Sequence, residues 1–371
     1  MFLKKLTLSG FKNYDEAELN FSDKINCFVG NNGAGKTNVL DAIYYLSFCK
    51  SYFNSIDSQN INHDGEFFAV HGIYNNQENS ADKVSCIQKR NHKKVFKLNS
   101  KVYGRLADHI GTIPLVMISP YDRDLINDGS ELRRKYIDGV ISQFDKVYLN
   151  ELLNYNKTLQ HRNSLLKQMF DSGNGDQTTL EILDEKLVLH GRIIYDKRKT
   201  FLEDFNPLFE ELYGILVGAK ETVRITYESQ LNDNDFHDIL KESYNRDRVL
   251  RYTSSGIHKD DLTFTINDYP VKKFGSQGQQ KSFVIAIKLA QFEFTRRIKN
   301  FKPILLFDDI FDKLDDSRVM QIIQLVSENN FGQVFITDTQ RHRIEKIFKI
   351  VSIDHKIFTV VEGSIDSNIS V

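Results

Sequence analysis

Two stretches of this chain carry residues whose types and spacing could handle a nucleoside triphosphate. Residues 30 to 37 read Gly30-Asn31-Asn32-Gly33-Ala34-Gly35-Lys36-Thr37. Glycines let successive backbone N–H groups curl around anionic phosphates, and the N-terminus of a following helix adds partial positive charge. In such a loop Lys36 reaches the β- and γ-phosphates of ATP while the Thr37 hydroxyl ligates Mg²⁺. Far along the chain, the apolar run Ile304-Leu305-Leu306-Phe307 ends in Asp308 and Asp309. A buried strand ending in two carboxylates offers one to the metal, Asp308, and one to orient or deprotonate the attacking water, Asp309. Lys36 and Asp309 are the catalytic candidates. A third stretch, Ser276-Gln277-Gly278-Gln279-Gln280, precedes a helix-like run from Lys281 to Phe294. A hydroxyl, a glycine amide and a helix N-terminus make either a second anion site or a polar helix cap.

The elements that must position these groups are legible in the hydrophobic pattern. Ile25, Cys27, Phe28 and Val29 form a short apolar strand before the loop, and Asn38 to Phe48 a helix after it. Alternating runs from Met1 to about Ile113, including Phe67 to Tyr74 and Val84 to Lys97, predict an antiparallel β flank. Pro114 to Ile118 reads as a buried strand. Then the period changes: Leu132, Tyr136, Val140, Phe144, Tyr148, Leu152, Tyr155 and Leu159 predict one long amphipathic helix. Thr178 with Glu181 is a capping-box signature for a second helix, striped by Leu183, Leu187, Ile194, Phe201, Phe205 and Phe209. Strand-like segments return at Thr222 to Tyr227, Leu262 to Ile266 and Pro303 to Phe307. The expected fold class is α/β, a mixed sheet with helices and an antiparallel β flank. It is split by a helical arm at residues 114–219, leaving a head of residues 1–113 and 220–371.

Composition narrows the function classes. Lys plus Arg (49) nearly cancels Asp plus Glu (50), so nucleic-acid binding must be argued from clusters of charge. Three cysteines, Cys27, Cys49 and Cys86, are too few and too scattered for a disulfide or zinc framework, which predicts a reducing, cytoplasmic setting. No apolar run reaches bilayer length, so no membrane association is expected.

With the strand-end acids and the phosphate loop, Ser276 to Gln280 resembles the signature motif of ABC-type ATPases, and Leu314-Asp315 resembles the D-loop. The chain as a whole resembles the RecF family of bacterial recombination and repair ATPases, related to SMC heads. The residues carrying this are Gly10-Phe11-Lys12-Asn13-Tyr14, Ser119-Pro120-Tyr121-Asp122 with Arg133-Arg134, and Gln160 to Leu166. Gly256 to Asp261, Phe274 to Gln280 and Phe307 to Ile310 complete the set, in order along the chain. The resemblance implies an ABC-type head with an inserted arm. It adds Lys12 and Asn13 to the nucleotide site and assigns Ser276, Gln277, Gly278, Gln279, Gln280 and Asp315 to contact ATP on a second copy, so ATP would induce a homodimer. It further implies binding to duplex, gapped and single-strand/double-strand junction DNA, and recombination-mediator partners such as RecR, in repair and the SOS response.

The chain departs from its relatives in places. Asp309 stands where motor-like ATPases carry Glu, and its shorter reach predicts slow hydrolysis that times a state. Thr337-Asp338 stands where ABC transporters place a switch histidine. A transporter subunit shares the phosphate chemistry but lacks a long arm; an ATPase-coupled nuclease needs a further acidic metal cluster. For DNA, Lys89, Arg90, Lys93 and Lys94, with Lys97, concentrate charge on a hairpin tip. Arg133, Arg134, Lys157, Arg162 and Lys167 follow the first helical stripe, and Arg192, Lys197, Arg198 and Lys199 the second.

Overall fold

The computed structural model describes residues 1–75, 80–172, 176–218, 221–310, 321, 331–350 and 354–368. The chain forms two compact units, Met1–Asp122 with Ile215–Val217 and Ile285–Val371, and Arg123–Gly214 with Gly218–Val284.

The first unit holds two six-stranded sheets. One is antiparallel in the order β2-β1-β4-β5-β6-β7, from β1 (Phe2–Phe11), β2 (Tyr14–Asn20), β4 (Phe67–Asn75), β5 (Ala81–Lys89), β6 (Val95–Leu98) and β7 (Lys101–Val102). The other runs β15-β14-β3-β13-β12-β8, from β3 (Ile25–Val29), β8 (Leu115–Ile118), β12 (Ile304–Phe307), β13 (Val334–Asp338), β14 (His355–Val361) and β15 (Ser364–Asn368). Its strands are parallel except β15, which pairs antiparallel at the edge. Every residue of β3 and β12 is buried, as expected of parallel strands covered on both faces, and the one polar residue among them, Asn26, is bonded to Ser22. Phe28 stacks between Phe335 and Phe358, and Phe21 meets Phe335 edge-on at 4.9 Å. Val39, Leu40, Ile43 and Leu46 of α1 (Lys36–Phe48) join the same core. Gln333 ties the sheets together: its amide accepts from Leu3 N at 2.7 Å and donates to the Leu3 carbonyl at 2.8 Å.

The second unit is mainly helical: α2 (Asp124–Asn127), α3 (Ser130–Ser142), α4 (Lys146–Ser172), α5 (Gln177–Val217), α6 (Phe236–Leu250), α7 (Val271–Phe274) and the start of α8 (Gln277–Lys299). An antiparallel sheet, β11-β10-β9, accompanies them, from β9 (Val223–Glu228), β10 (Asp261–Ile266) and β11 (Tyr269–Pro270). The contacts Asp145–Lys197, Glu151–His190 and Arg162–Asp184 advance from the start of α4 along it as they run back along α5, so the two helices run antiparallel. Among the described residues the first unit also holds α9 (Arg341–Ile350).

Three expectations change. The single long helix is two, because Asp145 caps a new start by accepting Tyr148 N at 2.8 Å. The second helix is capped by Asp176, which accepts Thr179 N at 2.9 Å, rather than by Thr178 with Glu181. The compact units also divide elsewhere than at 114–219. Residues 114–122 stay with the first unit, since β8 is a strand of its parallel sheet. Residues 218–284 go with the helices, because β9 is zipped to β10 and β10 lies against α3.

Candidate nucleotide-binding site

The loop after β3 is built by its glycines and by the segment Asn13-Tyr14. A Cβ on Gly30 would lie 2.3 Å from the Val360 carbonyl oxygen, so no side chain fits where the loop leaves the sheet. Gly35 adopts φ +117°, and a Cβ there would meet Asn13 Nδ2 at 2.5 Å and the Tyr14 hydroxyl at 2.9 Å. Those two side chains brace the loop from beneath. Asn13 Nδ2 donates to the Ala34 carbonyl at 3.0 Å, and the Tyr14 hydroxyl to the Gly35 carbonyl at 3.0 Å. Asn31, Asn32 and Gly33 form the exposed rim, whereas Ala34, Gly35 and Lys36 are buried. Lys36 Nζ donates to the Gly30 carbonyl at 2.8 Å and the Asn31 carbonyl at 2.9 Å, which arches the ammonium over the loop.

Strand order brings the acids to the same place. β13 lies between β3 and β12, and all three end on the same side of a parallel sheet, where such folds bind ligands. Thr37 Oγ1 donates to Asp308 Oδ1 at 2.8 Å, and Thr337 Oγ1 donates to the same oxygen at 2.9 Å. Thr337 Oγ1 also accepts the backbone N–H of Asp309 at 2.9 Å. Asp309 sits at φ +50°, in the left-handed region that few non-glycine residues enter. Burial raises the pKa of Asp308, the neighbouring Asp309 adds to this, and the two threonine hydroxyls and Lys36 work against it. In the sequence Thr337 stands only where ABC transporters place a histidine, and nothing there marks its double hydrogen bond. Asp338 is buried too, gripping Arg343 at 2.6 Å and taking Gly30 N on its carbonyl.

Lys12 departs from its expected place. Its ammonium pairs with the fully buried Asp41 at 2.6 Å, and Asp41 also receives Ser51 Oγ and Tyr52 N. Lys12 thus braces α1 through Asp41, a contact the sequence does not announce. Asn13 does touch the loop.

Ser276 and Gln279 form the polar cap that was the alternative at sequence level. Ser276 Oγ accepts Gln279 N at 3.2 Å, and Gln279 Oε1 accepts Ser276 N at 2.8 Å, a reciprocal capping box. Ser276 and Gln277 are exposed and Gly278 half-buried, so this helix end presents its hydroxyl and amides outward. Gln280 is buried at 8% exposure and bonded to Arg123 at 3.2 Å, unlike its exposed neighbours Ser276 and Gln277. Asp315 and its neighbour Leu314 lie outside the described residues.

A family model described as RecF/RecN/SMC N terminal domain matches residues 2–360. The DNA replication and repair protein RecF of Flavobacterium johnsoniae is 52% identical over 97% of this chain and 100% of its own length. The chain belongs to the RecF family. The RecF protein of Phocaeicola vulgatus is 49% identical over 98% of each chain. A solved structure of the recombination mediator protein RecF with ATP, in the RecFOR pathway, superposes with TM-score 0.89 at 31% identity, covering 99% of this chain and 98% of that one. An SMC head domain from Pyrococcus furiosus, 18% identical, shares the fold at TM-score 0.58 over 99% of this chain and 96% of its own. The fold is thus the ABC-type ATPase head of RecF and SMC proteins, with an inserted helical unit. Among the described residues no helix is long and apolar enough to cross a membrane.

The basic residues of this RecF-family chain sort into surface and interior. Lys89, Arg90 and Lys93 are exposed on the β5–β6 turn, with Arg90 donating to the Gly65 carbonyl at 3.0 Å. Lys94 does not belong with them. Its ammonium turns inward to Asp57 at 2.7 Å, the Cys49 carbonyl at 2.6 Å and the Tyr45 hydroxyl at 2.9 Å. Arg133 is clamped bidentately by Asp261 at 2.6 and 2.9 Å, and Arg134 donates to the Asp260 carbonyl at 2.5 Å. Arg162 pairs with Asp184 and Asp247, and Arg198 with Asp138 and Asp260, all in the interior of the helical unit. Arg133, Arg162 and Arg198 are thus ion-paired within the helical unit, where the periodicity of the chain places them on charged stripes. Helical periodicity placed them on a stripe without revealing the carboxylates opposite.

Proposed function

We propose that this protein is an ATP-controlled DNA-binding switch acting in DNA repair and replication. The observation that carries the proposal is the convergence of Thr37 and Thr337 on Asp308 at the mouth of a braced phosphate loop. ATP would lie on Gly30 to Thr37, its β- and γ-phosphates met by Lys36. The donor set suits Mg²⁺: Thr37 Oγ1 and Asp308 Oδ1 are hard oxygens already 2.8 Å apart, one neutral and one anionic. Thr37 would hold the ion directly and Asp308 through water. Held there, Mg²⁺ would supply positive charge to offset that of the transferred phosphoryl group.

Asp309 orients the attacking water in this scheme, and its short side chain keeps hydrolysis slow, so the ATP-bound state persists. The exposed cap at Ser276, Gln277 and Gly278 of one copy would meet the γ-phosphate on a second copy, making ATP the trigger of a homodimer. RecF-family membership and the exposed cations Lys89, Arg90 and Lys93 support binding to duplex and gapped or junction DNA through phosphates, without sequence readout. Release on hydrolysis and hand-over to mediators such as RecR complete the cycle. The decisive experiment is sedimentation combined with DNA binding to duplex, single-strand and gapped substrates, each with ATP, ADP or no nucleotide. The proposal expects an ATP-dependent dimer and ATP-dependent DNA affinity; a monomer on DNA with ATP bound would overturn it.

A further inference from the structure

We infer that the far end of the helical unit carries a stacking platform for single-stranded DNA, formed by Phe170, Tyr252 and the cations Arg248, Arg251 and Lys259. This rests on the DNA-binding role proposed above but uses none of the residues invoked there.

The platform begins with a buried frame. Leu166, Met169 and Leu180 form a small apolar cluster against which Tyr244 packs, joining α4, α5 and α6. Beside it Arg162, fully buried, binds Asp247 at 2.6 Å and the Thr253 hydroxyl at 2.9 Å. Asn163 accepts Thr253 N at 2.7 Å, and Asp247 accepts Ser254 N at 2.8 Å. Three bonds to two consecutive residues, Thr253 and Ser254, thus fix the chain just past α6, directly after the exposed Tyr252. This gives the Gln160 to Leu166 segment a task that the nucleotide site does not explain.

What the frame presents is unusual for a solvated surface. Phe170 is 50% exposed, Tyr252 43% and Val249 72%. Arg248, Arg251 and Lys259 are exposed beside them. Each cation covers an aromatic face: Arg251 over Phe170 at 3.8 Å, Lys259 over Tyr252 at 5.3 Å and Arg248 over Tyr244 at 5.6 Å. Arg251 does so from φ +61°, a left-handed conformation that costs energy in an arginine and is held by the anchored residues after it. Asp171 lies 3.9 Å from Arg251 and is itself exposed, so it screens this charge without burying it.

Phe170 and Tyr252 are each about half exposed beside their own cation, which leaves ring surface on which a flat ligand can stack. Cations at the ring edges then suit an anion attached to that ligand. An unpaired nucleobase with its phosphate has both features, whereas bases inside a duplex do not expose a free face. The chemistry therefore selects single-stranded DNA, as found beside a gap.

The test uses the full-length protein with saturating ATP, a fluorescein-labelled oligothymidine, and a blunt duplex of equal length. Tyr252→Ala and Phe170→Ala should each weaken oligothymidine binding about tenfold, from the loss of one base–aromatic stack. Duplex binding should change less than twofold. Tyr252→Phe should retain wild-type affinity, which separates stacking from misfolding. Photo-crosslinking with iododeoxyuridine should mark the peptides carrying Phe170 or Tyr252. Equal loss on duplex and single strand, no loss on either, or variants that bind DNA normally but fail to capture a protein partner, would each overturn the inference. If the wild-type chain bound no DNA with ATP, the broader proposal would fail instead.

Discussion

Thr337 holds Asp308 and Asp309 in one grip: its hydroxyl donates to Asp308 Oδ1 and accepts the N–H of Asp309, both at 2.9 Å. The residue stands on β13, between the strand that feeds the phosphate loop and the strand that carries the acids. Because Asp309 is at φ +50°, its carboxylate is aimed by backbone that this hydroxyl fixes. Thr337→Val keeps the shape and removes both bonds. ATP turnover should fall by roughly 10–100-fold, as for other supporting hydrogen bonds around a reactive site, with a smaller change in KM. Thr337→Ser should restore it. Steady-state kinetics of the three proteins, in the presence of DNA, check the point; equal kcat in all three would remove Thr337 from the mechanism.

Lys36 and Ser276 should fail in different ways. Lys36→Ala removes the ammonium arched over the loop and should weaken ATP binding at least tenfold, read by fluorescent-nucleotide titration. Ser276→Arg leaves the phosphate loop intact and puts a bulky cation at an exposed helix cap. ATP should still bind while sedimentation shows a monomer.

Neighbouring lysines should differ in kind. Lys93→Ala removes an exposed charge and should lower duplex affinity evenly across sequences, with a salt slope reduced by about one. Lys94→Ala deletes a nearly buried ammonium that satisfies Asp57, a carbonyl and a tyrosine. It should destabilise the fold by about 2 kcal/mol, discounted because Asp57 is partly exposed, and leave the salt slope unchanged. Urea midpoints and binding isotherms at several ionic strengths separate the two.

His258 should make the protein acid-sensitive. Its Nε2 faces the Thr253 carbonyl at 3.0 Å and must donate, so Nδ1 takes the Tyr155 hydroxyl at 2.9 Å and the ring is neutral. Burial, aided by Lys259 and Arg134, lowers its pKa to about 4. The unfolded chain takes up a proton near the ordinary histidine value of about 6.5, while the folded chain does not. The stability from keeping the ring neutral is full above about pH 6.5 and is lost as pH falls toward 4, by at most about 3 kcal/mol. Asp260 acts the other way: burial raises its pKa to about 6, so the folded state gains as it protonates. His258→Gln should therefore flatten or reverse the fall in urea midpoint between about pH 6.5 and 5. A fall as steep as the wild type's would show that His258 is not responsible.

The sequence by itself determined the parts that are local. The phosphate loop is a contiguous string whose glycines are needed where the backbone turns and where the sheet comes close, so its geometry is written in residues 30 to 37. The buried strand Ile304 to Phe307 declared itself as an unbroken apolar run, and the acids at its end could be placed because a strand has two ends. Only the tertiary structure decided which charges are surface and which are interior. Lys93 and Lys94 look alike in the chain, yet one points to water and the other to Asp57, a carboxylate thirty-odd positions earlier that only the fold brings beside it. Arg162 and Arg198 sit on helical stripes like solvated cations, but their partners Asp247 and Asp260 are far away in sequence. Thr337 makes the same point at the active end of the sheet. Its role exists only because β13 is threaded between β3 and β12, a strand order set by long-range packing that no window of neighbouring residues encodes.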